Sequence, residues 1–320
     1  MKAKWLGIVS LLIFVIIFSG MSFAIEPKEV KIGVTLVTLA DPFFASLKEG
    51  LEARANELGI GKLTIMDGQA DAAKQLSQVE NFTAEKYTAI IINPVESAAL
   101  VTAAEAAHKA GVIVITMDRF IDAKYGPNEV VKAHCGADAV DGGRLGMRIV
   151  ANKLNEKFGE PKGKVLYIEG TPGSSTSRDR TTGVMEELKN YPNISIVAQQ
   201  PGETRAKAMS LVENWLQMYT DIDGIYAYGG DGALGAVQAA EAAGVLDKIF
   251  IVGTGAAWDE LVSICDGRLT GTVDFNPVGT GRDGIDTIMK LVNNESVPKW
   301  VRTEAKLVTK ENLDCNTVKK

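Results

Sequence analysis

The sequence predicts an α/β protein of two similar lobes, each built on a parallel sheet. Short β-branched runs alternate with amphipathic helical runs along the chain from about residue 31 onward. Strand–helix–strand alternation in apolar runs belongs to parallel sheets covered by helices on both faces. The alternation occurs twice, with a break near Val130–Asp138. No low-complexity linker marks that break, so the chain is expected to cross directly from one lobe to the other.

The segment before the first strand is read apart from the fold. Lys2 and Lys4 precede an apolar run from Leu6 to Phe18, and Ser22 and Ala24 have the small-residue spacing of a cleavage site. These features predict a secretory signal peptide over 1–24, cleaved after Ala24. An uncleaved membrane anchor is the alternative. Export is the expected fate of the chain.

The first lobe opens with a strand over Lys31–Val37. Asp41 and Pro42 stop it and start a helix over Phe43–Leu58: proline suits the first turn, aspartate the cap before it. Gly59 sits where the helix C-cap belongs. Adjacent helical residues point about 100° apart, so Phe43 and Phe44 cannot share one core stripe. Both are expected at the helix N-terminus, beside a ligand. Strands then follow at Leu63–Met66, Ala89–Ile92 and Val112–Met117, with helices at Ala72–Ala84 and Ala98–Lys109 between them. A strand over 130–136 leads into a helix at Ala139, with Asp138 as its cap.

The second lobe repeats the rhythm. Its strands are Val165–Ile168, Ile194–Ala198, Gly224–Tyr228, Ile249–Val252 and Leu269–Val273. Its helices are Ser175–Lys189, Thr204–Tyr219, Ala233–Ala243 and Ala257–Cys265.

Open α/β sheets bind ligands at the carboxyl ends of their strands. The residues leaving the strands are Asp41–Phe44, Asn93-Pro94, Asp118-Arg119, Glu169 to Arg178, Gln199 to Thr204, Gly229–Asp231, Thr254-Gly255 and Asp274–Asn276. They supply carboxylates, guanidinium groups and flat rings, with no nucleophile–base pair and no histidine. That inventory suits a polyhydroxylated molecule: acids and arginines take pairs of hydroxyls, and rings cover C–H faces.

The net charge of −6, with scattered Lys and Arg, provides no nucleic-acid face. The histidines, His108 and His134, and the cysteines have no zinc-site spacing, and no cofactor or metal is expected. The cysteines are Cys135, Cys265 and Cys315, an odd count that forbids full pairing within one chain. Cys265 and Cys315 pair if the C-terminal tail returns to the helix carrying Cys265; three inert thiols is the other reading. Residues 230–235 spell G-x-G-x-x-G, the dinucleotide fingerprint. Asp231 would put a carboxylate where a pyrophosphate needs free N–H groups, and the next strand ends in Gly253-Thr254-Gly255, without an acid for a ribose hydroxyl. The motif is read as a tight strand–helix turn.

Several stretches carry a family resemblance: T-L-A-D-P-F-F-A-S-L-K-E-G (38–50), I-I-N-P-V-E-S (91–97), I-T-M-D-R (115–119), S-R-D-R-T-T-G (177–183), A-L-G-A (233–236) and G-R-L-T-G-T-V (267–273). In this order, after a signal peptide, they make the chain resemble the ribose-type periplasmic solute-binding proteins of ABC importers. The resemblance implies two Rossmann-like lobes with parallel sheets, joined by a three-segment hinge, the periplasmic binding protein type I fold. It implies an N-terminal lobe of 25–136 plus about 276–303, and a C-terminal lobe of 137–275 plus about 304–320. It further implies a monomer in the periplasm, without enzymatic activity, that closes on a sugar or polyol and delivers it to a membrane permease. A chemoreceptor ligand or signal-molecule sensor of the same fold is the alternative.

The implied ligand set is uneven. Phe43 and Phe44 match an aromatic pair, Asp118 and Arg119 an acid–base pair on hydroxyls, and Arg178 a hydroxyl-binding arginine, while Arg180 is expected to cap structure. Asp41 stands where ribose binders have an amide. Asn93 and Thr204 complete the polar candidates. Elsewhere the pattern departs: Gly229-Gly230, followed by Asp231, replace N-D, Gly255 replaces a carboxylate, and Phe275 replaces a hinge glutamine. The expected ligand therefore differs in shape from ribose. Tyr226 is expected in the core, while Tyr228 and Trp258 stay open between packing and cleft wall.

Overall fold

The computed structural model describes residues 25–121 and 129–318; the expected signal peptide, 1–24, lies outside them. The first sheet contains β1 (Lys31–Leu36), β2 (Lys62–Asp67), β3 (Ala89–Ile92), β4 (Ile113–Met117), β5 (Val131–Cys135) and β11 (Trp300–Val301), in the order β11-β5-β4-β3-β1-β2. Its ladders are parallel. The flanking helices are α1 (Pro42–Leu58), α2 (Ala72–Ala84), α3 (Val101–Lys109) and α9 (Pro277–Val292). A single 3-10 turn, Ala98–Leu100, precedes α3.

The second sheet contains β6 (Lys162–Glu169), β7 (Asn193–Pro201), β8 (Gly224–Ala227), β9 (Phe250–Val252), β10 (Gly271–Asp274) and β12 (Lys306–Thr309), in the order β12-β10-β9-β8-β6-β7. Around it lie α4 (Ala139–Phe158), α5 (Ser175–Leu188), α6 (Arg205–Met218), α7 (Gly230–Ala242), α8 (Trp258–Cys265) and α10 (Cys315–Val318).

Strand alternation divides each lobe into two cores. In β3, Ala89 and Ile91 join the cluster with Leu47 and Leu51 of α1 and Ile285 and Ile288 of α9, while Ile90 and Ile92 join that with Val79 of α2 and Ala103, Ala104 and Ala107 of α3. In the second lobe, Leu166 and Ile168 face α6 and α7, whereas Val165 and Tyr167 face α4 and α5. Four fully buried residues in a row therefore make one central strand, as a sheet covered on both faces requires.

The chain passes between the sheets three times: after β5 into α4, from β10 into α9, and from β11 to β12. The third crossing reverses the chain at once, so β12 runs antiparallel to β10. The sheets are otherwise parallel, as expected; here a short link gives the strand no crossover helix with which to re-enter in parallel. Asp138 caps α4 by accepting from Val140 N and Asp141 N. Cys265 and Cys315 form a disulfide with Cα atoms 5.6 Å apart, so the tail does return to α8. Cys135 is a buried free thiol, its pKa pushed up to about 12 by burial. Among the described residues no helix is long and apolar enough to cross a membrane.

Candidate functional site

The strand ends of the two sheets meet around a small cavity of about 40 Å³. The first lobe contributes Asp41 to Phe44 and Asp118-Arg119; the second contributes Arg180, Tyr228 to Asp231, Thr254-Gly255, Ala257, Asp259 and Glu260. A larger space of about 420 Å³ adjoins it at Asp41, Phe44, Arg119, Tyr228, Gly229 and Asp231, and has Thr38 and Ala40 on one wall and Gly202 to Thr204 on the other. It forms the mouth of the cleft.

On the first side, Asp41 is the N-cap of α1 and accepts from Phe43 N at 2.8 Å. Burial lifts its pKa to about 6 against that hydrogen bond, and Asp231 across the cleft adds to the rise. The rings of Phe43 and Phe44 meet edge to face, 5.4 Å apart, and the Arg119 guanidinium lies 5.5 Å from the Phe44 centroid. Asp118 leaves β4 with φ 58°, which turns its carboxylate toward Asn93 Nδ2 at 3.2 Å and Arg119 Nε at 3.7 Å. Burial raises the Asp118 pKa, opposed by Arg119 and Arg180. Arg119 is 4% exposed; its Nη1 donates to the carbonyls of Pro94 and Val95, while its Nε has no hydrogen-bond partner. Asn93 lies behind this layer. It accepts from Val37 N and donates to Met117 O and Asp118, which ties three strand ends together. The structure thus gives Asn93 a positioning place rather than a place on the cavity wall.

On the second side the two arginines of S-R-D-R are placed the other way round from the expectation: Arg180, not Arg178, lines the cavity. Arg178 is half exposed and paired with its neighbour Asp179 at 2.9 Å. Arg180 is 6% exposed, and its Nη1 donates to Tyr228 O at 2.8 Å and Thr254 Oγ1 at 3.2 Å. Its guanidinium lies 4.5 Å from the Tyr228 ring centroid and 4.2 Å from that of Phe275, and its Nε is unpartnered. Residues two apart on a helix point about 200° apart, so one of this pair faces the cleft and the other faces water.

Gly229 caps α7, and a Cβ there would meet nothing within 4 Å. Asp231 is held at 2.8 Å by Arg205, which also pairs with Asp259. Thr204 caps α6 and borders the mouth. Phe275 is buried against Gly142 and, with Phe43, Asp118 and Arg180, lines an inward extension of the cavity. Tyr228 lines the cleft, Tyr226 is core, and Trp258 is 55% exposed outside both cavities.

Sequence reasoning missed Glu260. It is fully buried, with Oε1 accepting from Thr272 Oγ1 at 2.7 Å and Oε2 from Ala257 N at 3.0 Å. A Cβ on Gly230, Gly253 or Gly255 would come within 2.4, 2.8 or 2.9 Å of this carboxyl group. Glu260 reaches from α8 into space that three glycines leave, including the position where a carboxylate was expected at residue 255. Burial lifts its pKa to about 7, and the charges of Asp259 and then Asp41 add to the rise. The cluster of glycines at adjoining strand ends was the signal that could have found it.

The lobes also touch beside the cleft. Ser97 N donates to Gly173 O at 3.1 Å, Ser175 N to Ser97 Oγ at 3.0 Å, and Phe120 N to Ser175 Oγ at 2.9 Å. Among the described residues no group of three or more His, Cys, Asp or Glu is arranged to hold a metal ion.

Two α/β lobes that close their strand ends over buried acids, guanidinium groups and rings define a two-lobed solute-binding protein. The chain belongs to the periplasmic binding protein family, of the ribose type: the periplasmic binding protein domain matches residues 32–296. It is 34% identical over 285 residues to the ribose import binding protein RbsB of Bacillus subtilis (strain 168), covering 89% of this chain and 88% of the relative. Among solved structures, a Mycobacterium smegmatis protein in complex with β-D-fucofuranose superposes with a TM-score of 0.83 at 29% identity, covering 91% of this chain and 96% of that one. An ABC transporter solute-binding protein from Bacillus halodurans C-125 with bound myo-inositol superposes with a TM-score of 0.81 at 29% identity, covering 90% and 96%.

Proposed function

We propose that this chain is an exported solute-binding protein that captures a small carbohydrate, polyol or related metabolite between its lobes and delivers it to the permease of an ABC importer. It acts as a monomer in the periplasm, without catalysis. The observation that carries this reading is the pair of buried arginines, Arg119 from one lobe and Arg180 from the other, which line the same cavity and whose Nε atoms make no hydrogen bond, that of Arg119 lying 3.7 Å from Asp118. A hydroxylated ligand supplies the acceptors both lack, and only closure of both lobes brings them to it. The moving bodies are residues 25–136 with 276–303, and 137–275 with 304–320. A disulfide suits an oxidising compartment outside the cytosol.

Ribose is not expected to be the tightest ligand. Gly229 leaves open space and Phe275 presents a ring where the resemblance has amides. A thermal-shift screen over pentoses, hexoses, polyols and nucleosides, followed by calorimetry, tests the reading. A true ligand at 100 times its Kd adds about 2.7 kcal/mol of stability. A screen in which no such compound raises the midpoint counts against the function, and ribose ahead of all others counts against the reading of the second lobe.

A further inference from the structure

The cavity wall carries five carboxyl groups, from Asp41, Asp118, Asp231, Asp259 and Glu260, and two guanidinium groups, from Arg119 and Arg180. Their pairing is unequal. Asp118 has Arg119 at 3.7 Å and feels Arg180. Asp231 and Asp259 share Arg205 behind the wall. Asp41 and Glu260 have no ion-pair partner within 4 Å among the described residues, although Asp41 feels the charge of Arg119; their hydrogen bonds come from Phe43 N, Thr272 Oγ1 and Ala257 N, all uncharged donors. The two groups come from opposite lobes, line one cavity, and repel each other's charge. The same wall carries Arg119 and Arg180, whose buried Nε atoms make no hydrogen bond, so it is incomplete for acceptors and for cations alike.

We propose that the ligand carries a protonated amine, seated between Asp41 of one lobe and Glu260 of the other, on an otherwise hydroxylated body whose oxygens meet Arg119 and Arg180. This rests on the solute-binding reading and names the class of solute. A neutral polyol answers the two arginines but leaves two buried carboxyl groups to be neutralised by protons. An ammonium group answers both with charge-assisted hydrogen bonds, which are roughly twice as strong as neutral ones. It also gains both only when the lobes are shut, which gives the ligand the differential affinity that closure requires.

The test uses matched probes: glucosamine against glucose, galactosamine against galactose, and an aminodeoxy-inositol against myo-inositol. Thermal shift ranks them, and calorimetry in buffers of different ionisation enthalpy counts protons. In at least one pair the amino member is expected to bind about tenfold more tightly than its neutral partner. Its entry expels protons from Asp41 and Glu260, so its affinity rises from pH 5 to pH 7. A neutral ligand held by protonated carboxyl groups shows the opposite slope. Glu260→Gln keeps the volume and is expected to erase most of the tenfold lead, with the fold checked by circular dichroism. The proton count on the unaltered protein decides the matter should that variant fail to fold. No amino member ahead of its partner, or affinity that falls as pH rises, overturns the proposal. If neutral probes bind and no amino member leads its partner, the solute-binding function stands while the amine falls; if no probe stabilises the protein, both fall.

Discussion

Arg119 is anchored through Nη1 on two backbone carbonyls, which fixes the rest of its guanidinium before any ligand arrives. Arg119→Ala is expected to weaken binding by about 2–5 kcal/mol, because ligand oxygens and the carbonyls of Pro94 and Val95 are left buried and unpaired. Arg178→Ala, on the water side of α5, is expected to change Kd by less than about twofold; calorimetry on both variants checks the exchange of roles. Glu260 gives a pH signature in the ligand-free protein. Its folded pKa, about 7, lies above the ordinary 4.5, so the folded state holds the extra proton between these values. The stability from this group is complete below pH 4.5 and is lost as pH rises to 7, on the order of 3 kcal/mol. Chemical denaturation across that window is expected to show the slope in the unaltered protein and a flatter one in Glu260→Gln. At this scale the sequence was half legible. Asp41, Phe43, Phe44 and Asp118-Arg119 stand on the cavity wall because a strand exit followed by a helix start has one geometry. Which of Arg178 and Arg180 faces inward depends on the rotation of α5, and nothing in S-R-D-R reveals that. Glu260 was hidden because an acid in a first helical turn normally faces solvent and the macrodipole.

At the level of elements, the turn between β8 and α7 and the turn after β9 both carry glycine, for different reasons. Gly229 is an extended N-cap with open space before it, and Asn is a favoured capping residue. Gly229→Asn is expected to fold with stability within about 0.5 kcal/mol of the parent, and to change ligand preference by adding an amide at the cleft. Gly255 has φ 139°, and its Cβ would come within 2.9 Å of Glu260. Gly255→Asp is expected to cost about 2 kcal/mol or more from strain and from a second buried acid. Thermal melts of the two variants separate the cases. The β-branched runs made the central strands legible, since buried parallel strands are continuous and apolar. The helix α9 was not legible. Gly281 packs with its Cα against Leu47 O, where a Cβ would come within 2.3 Å, and Gly50 of α1 does the same against Val278 O at 2.0 Å. Close helix packing demanded glycines inside α9, and glycines inside a helix read as a loop.

For the molecule as a whole, the contacts of Ser97, Gly173, Phe120 and Ser175 hold the lobes together without touching the cavity wall. Ligand binding is expected to shift an open–closed equilibrium toward the form in which these bonds exist. Small-angle scattering should show compaction on saturation with a ligand found by the screen; an unchanged radius of gyration would refute domain closure. Ser175→Ala removes one acceptor and is expected to weaken affinity by about 1 kcal/mol through the closed population, with the order of preferred ligands unchanged. The two lobes and the direct crossing at 136–138 followed from the doubled rhythm of the sequence. The last two crossings did not: the second enters α9 with its interior glycines, and the third joins β11 of two residues to β12 of four, too short to show a period.

Those late strands also set an order of assembly. The helix α9 packs against α1, β11 completes the first sheet, and β12 with the Cys265–Cys315 link completes the second. Neither lobe can finish its core until nearly the whole chain has been synthesised, and closing such long-range contacts is slow. A chain ended at residue 275 is expected to be cut freely by protease within 31–117, whereas the full chain resists. The portion made first is thus expected to stay unravelled longest, and on the export proposed above the chain remains threadable through a membrane pore until its end is made.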